Sequence, residues 1–289
     1  MRTAFPLLTR DLAFRPVNNP RPKILTPEQI AAFNEKGFIA PIDAFTDSEI
    51  EGHRIYFDQI LGMAKLKGFD SYSILAWEGR LPGLYDLCTH PRILDPIEDI
   101  IGPNIVCWFT HYFCKLPNED RRVTWHQDAS FWPLSPTKAI SVWLAIDDVD
   151  ATNAPMQVIP RSHLHGQIDF ERTRLNERSV ILQSIQTPER FGDAPIPIRL
   201  KAGQISIHSD LIVHGSDGNQ SDRRRCGLTL RYLPPDVRNL SETGGLTPII
   251  CRGHDPTGYW EHTPRPENES LPDSQRHKWR ADFPENHTA

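Results

Sequence analysis

The chain has 289 residues, of which 38% are hydrophobic and 24% are charged, a composition that supports a folded core and differs from that of a disordered protein. Its 32 lysines and arginines are outnumbered by 37 aspartates and glutamates, which gives a formal net charge of −5. Without a basic excess, neither nucleic acid nor an anionic membrane is an expected partner. We therefore expect a small-molecule partner, and the sequence leaves the oligomeric state open.

Cysteine and proline usage narrows the class of protein further. The five cysteines are scattered and form no Cys-x-x-Cys pair, so a reducing cytoplasm is the expected compartment. No apolar run has the length of a membrane span, and the first residues lack the apolar stretch of a secretion signal. The 26 prolines indicate many loops and strand edges and few long helices. We expect a single domain over residues 1–289.

Three helices are predicted in the first hundred residues. Residues 26–37 begin with a capping threonine followed by proline and end at a glycine. Residues 46–65 begin with a capping box and carry apolar residues near helical spacing. Residues 91–101 place four isoleucines and leucines on one side and stop before a glycine. The segment of about 27–103 is thus predicted to be a largely helical cover.

From about residue 104 to 235 the pattern changes to short β-type runs separated by Pro, Gly, Asn and Asp. About eight strands at this spacing are typical of a sandwich, jelly roll or barrel. We predict a mainly β fold in which helices cover a double-stranded β-helix core of jelly-roll or cupin type, followed by a C-terminal extension over about 236–289. The predicted strands are 105–116, 123–128, 139–149, 156–159, 180–185, 204–208, 211–214 and 227–233.

A metal-binding pattern lies in the second of these strands. His126 and Asp128 are two positions apart, so on a strand their side chains point to the same face. An imidazole and a carboxylate suit a divalent first-row metal, and one more histidine completes a set that leaves three coordination positions open. His214 is the best candidate for the third ligand, because it ends an apolar run at the end of a predicted strand.

Other histidines offer competing interpretations. His163 and His165 are also two apart, but they lie in a predicted loop without a nearby carboxylate. His208 and Asp210 repeat the spacing, yet a break between two short strands is more simply a turn, which favours structural roles. His111 alternates with aromatic residues and is as well explained as a hydrogen-bonded core histidine.

Several ordered motifs together resemble the phytanoyl-CoA dioxygenase family of iron(II)/2-oxoglutarate oxygenases, over roughly residues 27–235. This resemblance implies a double-stranded β-helix fold and the use of Fe(II), 2-oxoglutarate and O2. The motifs are the glycine-containing lead-in at 37–41, residues 101–104, the His-Gln-Asp triplet at 126–128, the segment 153–163, the His-Gly-Ser triplet at 214–216, and Arg225.

The resemblance implies that His126, Asp128 and His214 are the catalytic iron ligands. It also implies that Arg225, eleven positions after His214, holds the distal carboxylate of 2-oxoglutarate. A guanidinium binds a carboxylate through two parallel hydrogen bonds, which a lysine cannot do. Arg223, Arg224 and Arg225 are adjacent, and alternation favours Arg225, which is in phase with Gly227, Thr229 and Arg231.

Four further residues are cosubstrate candidates. Ser216 matches a hydroxyl position of the family, Trp143 matches a tryptophan near the metal, and His111 falls where the family has a cosubstrate-facing side chain. Thr124 shares the face of His126 on a strand and is equally well explained as an ordinary strand residue.

The predicted reaction is hydroxylation of an unactivated C–H bond in a small polar metabolite, such as an amino acid, an aminophosphonate or a natural-product intermediate. The resemblance extends to halogenases, which replace the metal-binding carboxylate with a small residue; the presence of Asp128 favours hydroxylation. Phe131, Trp132 and Arg231 are substrate-binding candidates. An O2-independent cupin-type isomerase or binding protein, and a catalytically inactive barrel, are the alternatives; Arg225 argues against the first and the intact ligand set against the second.

Overall fold

The computed structural model describes residues 5, 7–172, 179–241 and 246–273. The predicted helices are present, and the first has the capping box of Thr26 with Gln29 and a left-handed Gly37 at its end, with φ of 85°. A short further helix was not predicted, because its seven residues show too little of a helical period. The helices are α1 (Pro27–Lys36), α2 (Asp47–Leu66), α3 (Pro82–Cys88) and α4 (Pro91–Ile101).

Fourteen strands occur in the described part of the chain, several of them only two residues long. They are β1 (Phe38–Asp43), β2 (Ile105–Lys115), β3 (Val123–His126), β4 (Leu134–Ser135), β5 (Ile140–Ala145), β6 (Gln157–Ile159), β7 (Glu171–Arg172), β8 (Gln183–Ser184), β9 (Ile196–Pro197), β10 (Gln204–Ser209), β11 (Val213–Ser216), β12 (Arg225–Leu233), β13 (Arg238–Asn239) and β14 (Ile249–Arg252).

Two antiparallel sheets form the core. The larger has the strand order β1-β10-β5-β12-β2-β14 and the smaller the order β3-β11-β6-β9. The mainly β architecture of the double-stranded β-helix class is thus confirmed. Helices cover one side of the larger sheet: side chains of α1, α2 and α4 share a hydrophobic cluster with alternate residues of β5, β10 and β12.

Strand β12 shows how this packing positions a site. Cys226, Leu228, Leu230 and Tyr232 belong to the cluster under the helices. Because side chains alternate along a strand, the other residues of β12 point to the opposite face of the sheet. That face lines a cavity, to which Arg225, Thr229 and Arg231 contribute side chains. We call the residues on it the β12 row, which consists of Arg225, Gly227, Thr229 and Arg231.

The edges of the larger sheet differ from the prediction. Strand β1 lies within the segment predicted to be helical cover and pairs with β10. Strand β14 comes from the predicted C-terminal extension and pairs with β2. Residues 242–245 and 274–289 of that extension lie outside the described residues. None of the helices in the described ranges is long and apolar enough to cross a membrane.

Candidate metal and cosubstrate site

His126 and His214 lie directly opposite each other on the neighbouring strands β3 and β11. Their ring centroids are 4.1 Å apart, and both side chains are buried. Nδ1 of His126 lies 2.8 Å from the carbonyl oxygen of Thr124, and Nδ1 of His214 lies 3.2 Å from that of Ile212. Because a carbonyl only accepts, each Nδ1 carries the hydrogen and each Nε2 is left available as a ligand.

Asp128 completes the group from a turn, and its predicted position on a strand is wrong. Strand β3 ends at His126, and Asp128 begins a short 3-10 turn that runs to Ser130. The turn brings one carboxylate oxygen to 3.7 Å from Nε2 of His126, while the other accepts a 2.6 Å hydrogen bond from Ser141. Ligand atoms of His126, Asp128 and His214, the His–Asp corner, all lie within 4.8 Å of one another.

The protonation states of the His–Asp corner suit a cation. Burial opposes ionisation of Asp128, but contacts with His126 and His208 and the charge of Arg231 hold its pKa well below the ordinary value. Burial, together with the neighbouring His126, holds the pKa of His214 well below its ordinary value. At neutral pH the corner therefore offers an ionised carboxylate and a neutral imidazole, the forms that bind a divalent first-row metal.

Gln127 anchors the start of the turn although its side chain points away from the cavity. Its buried amide donates hydrogen bonds to the carbonyl oxygens of Gly166 at 2.8 Å and Leu211 at 2.6 Å. Its amide oxygen accepts one from the backbone N–H of Ile168 at 2.8 Å. These three bonds tie the residue between the two ligands of the motif to distant parts of the chain.

Arg10 anchors the far end of the same turn. Its Nη1 donates to the carbonyl oxygens of Ala129 at 2.8 Å and Trp132 at 2.7 Å. Its Nη2 donates to the side-chain oxygen of Gln167 at 3.1 Å. A residue near the start of the chain thus supports the backbone that carries Asp128.

Arg225 lies at the start of the β12 row. Its side chain is 2% exposed, and Nε and Nη2 both donate to the carbonyl oxygen of Ala154. Its guanidinium carbon is 5.5 Å from the centre of the Trp143 ring. No carboxylate of the described residues lies within ion-pair distance of it. Ser216 lines the same cavity.

The neighbouring arginines are engaged elsewhere. Arg224 forms ion pairs with Asp58 and Asp147, the latter at 2.8 Å, and Arg223 pairs with Asp150 at 2.6 Å. Arg225, the first residue of β12, therefore faces the cavity, whereas the two arginines that precede the strand have carboxylate partners.

Comparison with known proteins fits this geometry. The sequence profile of the phytanoyl-CoA dioxygenase family, PhyH, matches residues 33–227, more than half of the chain. The chain belongs to the phytanoyl-CoA dioxygenase family. It is accordingly a 2-oxoglutarate-dependent oxygenase, and the family uses Fe(II), 2-oxoglutarate and O2. The two imidazoles and one carboxylate of the His–Asp corner fit an Fe(II) ion, and the buried Arg225 beside them fits a carboxylate of 2-oxoglutarate.

Individual relatives include the peroxisomal phytanoyl-CoA dioxygenase of Rattus norvegicus, which is 24% identical over 256 residues, 79% of this chain and 74% of the relative. L-proline trans-4-hydroxylase of Streptomyces griseoviridis is 25% identical over 159 residues, 49% of this chain and 59% of that protein. Among solved structures, the apo non-heme monooxygenase ThoJ superposes with a TM-score of 0.70 at 27% identity, covering 83% of this chain and 88% of that one.

Among the other cosubstrate candidates, Trp143 lines the cavity, whereas Thr124 and His111 are not among its lining residues. The Thr124 hydroxyl donates to the carbonyl oxygen of Gln183. His111 contacts the carbonyl oxygen of Tyr72 at 2.8 Å. The hydroxyl of Thr124 and Nε2 of His111 thus contact backbone carbonyl groups, and their role towards the cosubstrate stays a prediction.

The aromatic candidates lie beside the corner. The ring of Phe131 packs edge-on to that of His126, with centroids 5.5 Å apart. Trp132 is buried, and the guanidinium carbon of Arg231 lies 5.6 Å from its ring centre. His163 and His165, the competing pair from the sequence, do not line this cavity. Nε2 of His163 contacts the carbonyl oxygen of Asn34 at 3.1 Å.

His208 is a cavity residue that the sequence analysis assigned a structural role. It is buried, neither of its ring nitrogens has a hydrogen-bond partner among the described residues, and Nε2 is 3.8 Å from a carboxylate oxygen of Asp128. A signal for this position exists in the sequence. Ser206 and His208 alternate along β10 with Ile205 and Ile207, which pack under the helices, so the polar pair must face the cavity.

Proposed function

We propose that this chain hydroxylates an unactivated C–H bond of a small polar metabolite. His126, Asp128 and His214 would hold Fe(II), and Arg225 would hold the distal carboxylate of 2-oxoglutarate. The observation that carries this proposal is the convergence of three buried ligand atoms in one cavity with a buried arginine that pairs with no carboxylate of the described residues.

Iron with 2-oxoglutarate and O2 supplies oxidising chemistry that side chains lack. The protein's task is orientation and the exclusion of water. Hydrogen bonds from Nδ1 orient both imidazoles, Ser141 orients the carboxylate, and the apolar ring of Trp143 lines the cavity beside Arg225. Ser216, also on this cavity, would add a hydroxyl contact to the cosubstrate.

Asp128 favours hydroxylation over halogenation. His126, Asp128 and His214 would together hold the iron, which would supply the chemistry of hydroxylation, whereas halogenases of this family have a small residue in place of the carboxylate to make room for chloride. The overall reaction converts 2-oxoglutarate, O2 and a C–H group into succinate, CO2 and a C–OH group. Under oxygen-18 gas with excess chloride, we expect one labelled oxygen in the product. A chlorinated product would contradict the proposal.

A small polar substrate is supported by the polar side chains among those that line the cavity, which include Ser216, Thr229 and Arg231. The same cavity must also hold the cosubstrate. A relative is named for hydroxylating L-proline, a molecule of this class.

We propose the cytoplasm as the compartment, since all five cysteines are free thiols and four of them are buried.

Anaerobic titration with Fe(II) and 2-oxoglutarate tests the site without knowledge of the substrate. We expect the weak visible charge-transfer band of the chelate. In Arg225→Lys the affinity for 2-oxoglutarate should fall roughly tenfold to a hundredfold, because the bidentate geometry is lost. Metal binding should change little.

Arg224→Lys is the matched control for this titration, because Arg224 is adjacent in sequence but pairs with Asp58 and Asp147. It should leave 2-oxoglutarate affinity unchanged. Equal affinity in Arg225→Lys and the unmodified protein would move the clamp to another arginine. Absence of the band in the unmodified protein would contradict the proposed site as a whole.

A further inference from the structure

We propose that Arg231 forms a second anion-binding subsite in the cavity, which holds an oxyanion of the substrate, a carboxylate or a phosphonate. This inference rests on the proposed function, because it assigns Arg225 to the cosubstrate. It defines the substrate class as a small acid whose charged end lies beside Arg231 and whose reacting C–H bond lies beside the His–Asp corner.

The residues around Arg231 hold its guanidinium in a fixed position at the cavity. The side chain is 5% exposed and lines the cavity together with the His–Asp corner. Its guanidinium carbon lies 4.4 Å from the ring centre of Phe109 and 5.6 Å from that of Trp132. Nη1 donates to the hydroxyl of Thr229 at 2.7 Å. Aromatic faces and one hydrogen bond thus hold the cation in place.

The guanidinium keeps donors that nothing in the described residues uses. Nε is buried without a hydrogen-bond partner, and no hydrogen bond of Nη2 is found in the described ranges. A buried guanidinium is costly unless an anion or acceptor meets it. A planar carboxylate matches the spacing of two guanidinium N–H groups. The unused donors therefore favour an oxyanion over a neutral group as the ligand.

Neither nearby carboxylate neutralises Arg231 by direct pairing. Asp128 and Glu78 both act on it through their charge, but neither lies within ion-pair distance. Asp128 belongs to the His–Asp corner, and an oxygen of Glu78 accepts hydrogen bonds from the backbone N–H and the hydroxyl of Thr110. The positive charge facing the cavity is therefore available to a ligand.

The summed charge of the site with metal and 2-oxoglutarate bound also favours an anionic substrate. A divalent metal, the Asp128 carboxylate, dianionic 2-oxoglutarate and the Arg225 cation sum to zero. Arg231 adds one positive charge that none of these groups offsets, and Glu78 offsets it only in part at neutral pH, because burial raises the pKa of that carboxyl to about 7. The two arginines are six positions apart on one strand, about 20 Å between their Cα atoms. This separation favours two different anions over one shared anion.

Paramagnetic relaxation gives a binding test that needs no turnover. The full chain is loaded with Mn(II) in place of iron and saturated with 2-oxoglutarate. The methyl protons of acetate, methylphosphonate and acetamide then serve as carboxylate, phosphonate and neutral probes. We expect saturable relaxation enhancement for one or both anions and none for acetamide. The stronger anion identifies the headgroup.

Variants assign the effect to Arg231. In Arg231→Gln the anion should bind at least about tenfold more weakly, and Arg231→Lys should retain part of the affinity because it keeps the charge. Arg223→Gln is the control, because Arg223 lies at the surface and pairs with Asp150. The Fe(II)/2-oxoglutarate band, measured on each variant, shows that the site is folded.

Each outcome decides the proposal. It is overturned if neither anion shows saturable enhancement, if Arg231→Gln binds anions as the unmodified protein does, or if that variant weakens 2-oxoglutarate instead, which would assign Arg231 to the cosubstrate. If Mn(II) and 2-oxoglutarate do not bind the unmodified protein, the proposed function fails first and this inference fails with it.

Discussion

The two sides of the cavity are built in different ways. The β12 row lies on a nine-residue strand that is buried throughout and paired on both sides, with β2 and β5. The His–Asp corner lies on two four-residue strands and a turn. Hydrogen bonds from Arg10 and Gln127, whose partners are distant in sequence, hold the turn.

This difference shows which kinds of position follow from local pattern. On the strand, an alternation of two places Arg225 and Arg231 on the cavity face, and sheet pairing enforces it. At the corner, the position of Asp128 depends on side chains that no local pattern connects to it. Substitutions in the β12 row should therefore affect ligand binding or strand packing, and substitutions at the corner should affect metal binding.

The largest effect is expected from His214→Ala. The substitution removes one of the three ligands and puts a methyl group, which cannot bind a metal, in place of the imidazole. Binding of Fe(II) or Co(II) should therefore be lost at concentrations that saturate the unmodified protein. Isothermal titration measures this. His254→Ala, at an exposed histidine, is the control. Retained metal affinity in His214→Ala would place the metal elsewhere.

Glu78→Gln should change how stability depends on pH. Burial raises the pKa of Glu78 from 4.5 to about 7, so the folded state prefers the protonated acid. The stability that the protonated acid contributes to the folded state is fully present below about pH 4.5 and is lost as the pH rises through 7. Glutamine carries no charge to bury and keeps an acceptor for Thr110. Relative to the unmodified protein, the variant should gain up to about 3 kcal/mol above pH 8.

Denaturant unfolding at pH 5 and pH 8 separates this effect from a general one. The gain in Glu78→Gln should be large at pH 8 and small at pH 5. Glu51→Gln, at an exposed carboxylate, should show no such difference. An equal effect of Glu78→Gln at both pH values would contradict the assigned cause.

Gly227→Ala tests the packing of the β12 row. An added Cβ would lie 1.9 Å from Cζ2 of Trp143, so the buried tryptophan must move. We expect a loss of about 1–3 kcal/mol in unfolding free energy. Because Trp143 also packs on Arg225, 2-oxoglutarate affinity should fall. Gly52→Ala in α2 meets no atom within 4 Å and should be neutral or stabilising. Unchanged stability in Gly227→Ala would mean that the tryptophan has room to move.

The smallest effect is expected from Arg10→Ala. The turn that carries Asp128 loses donors to the carbonyl oxygens of Ala129 and Trp132, and metal affinity should fall about tenfold, as is typical of groups that orient a ligand. Arg10→Lys should recover part of it. Arg15→Ala, at an exposed pair with Asp11, is the control. Metal affinity unchanged in Arg10→Ala would show that Gln127 suffices to hold the turn.

Several features could be predicted from the sequence because they depend on short-range periodicity. The capping box before α1, the β-rich core and the phase of Arg225 all follow from residues within one turn or one strand. The order of the motifs was enough to predict the family, which the family profile confirms. His208 was missed although the same alternation along β10 applies to it.

What only the tertiary structure decided are the contacts between distant segments. Strands β1 and β14 join the larger sheet at its two edges, and pairing partners at an edge depend on which backbone groups remain unpaired after the rest has folded. Asp128 reaches its place through a turn fixed from residues 10, 166 and 211. The sequence by itself determined the residue types and their local phase, because these act over a few positions. The meeting of His126, Asp128 and His214, and the pairing that leaves Arg225 and Arg231 facing the cavity, required the folded chain, because hydrogen bonds between remote segments set them.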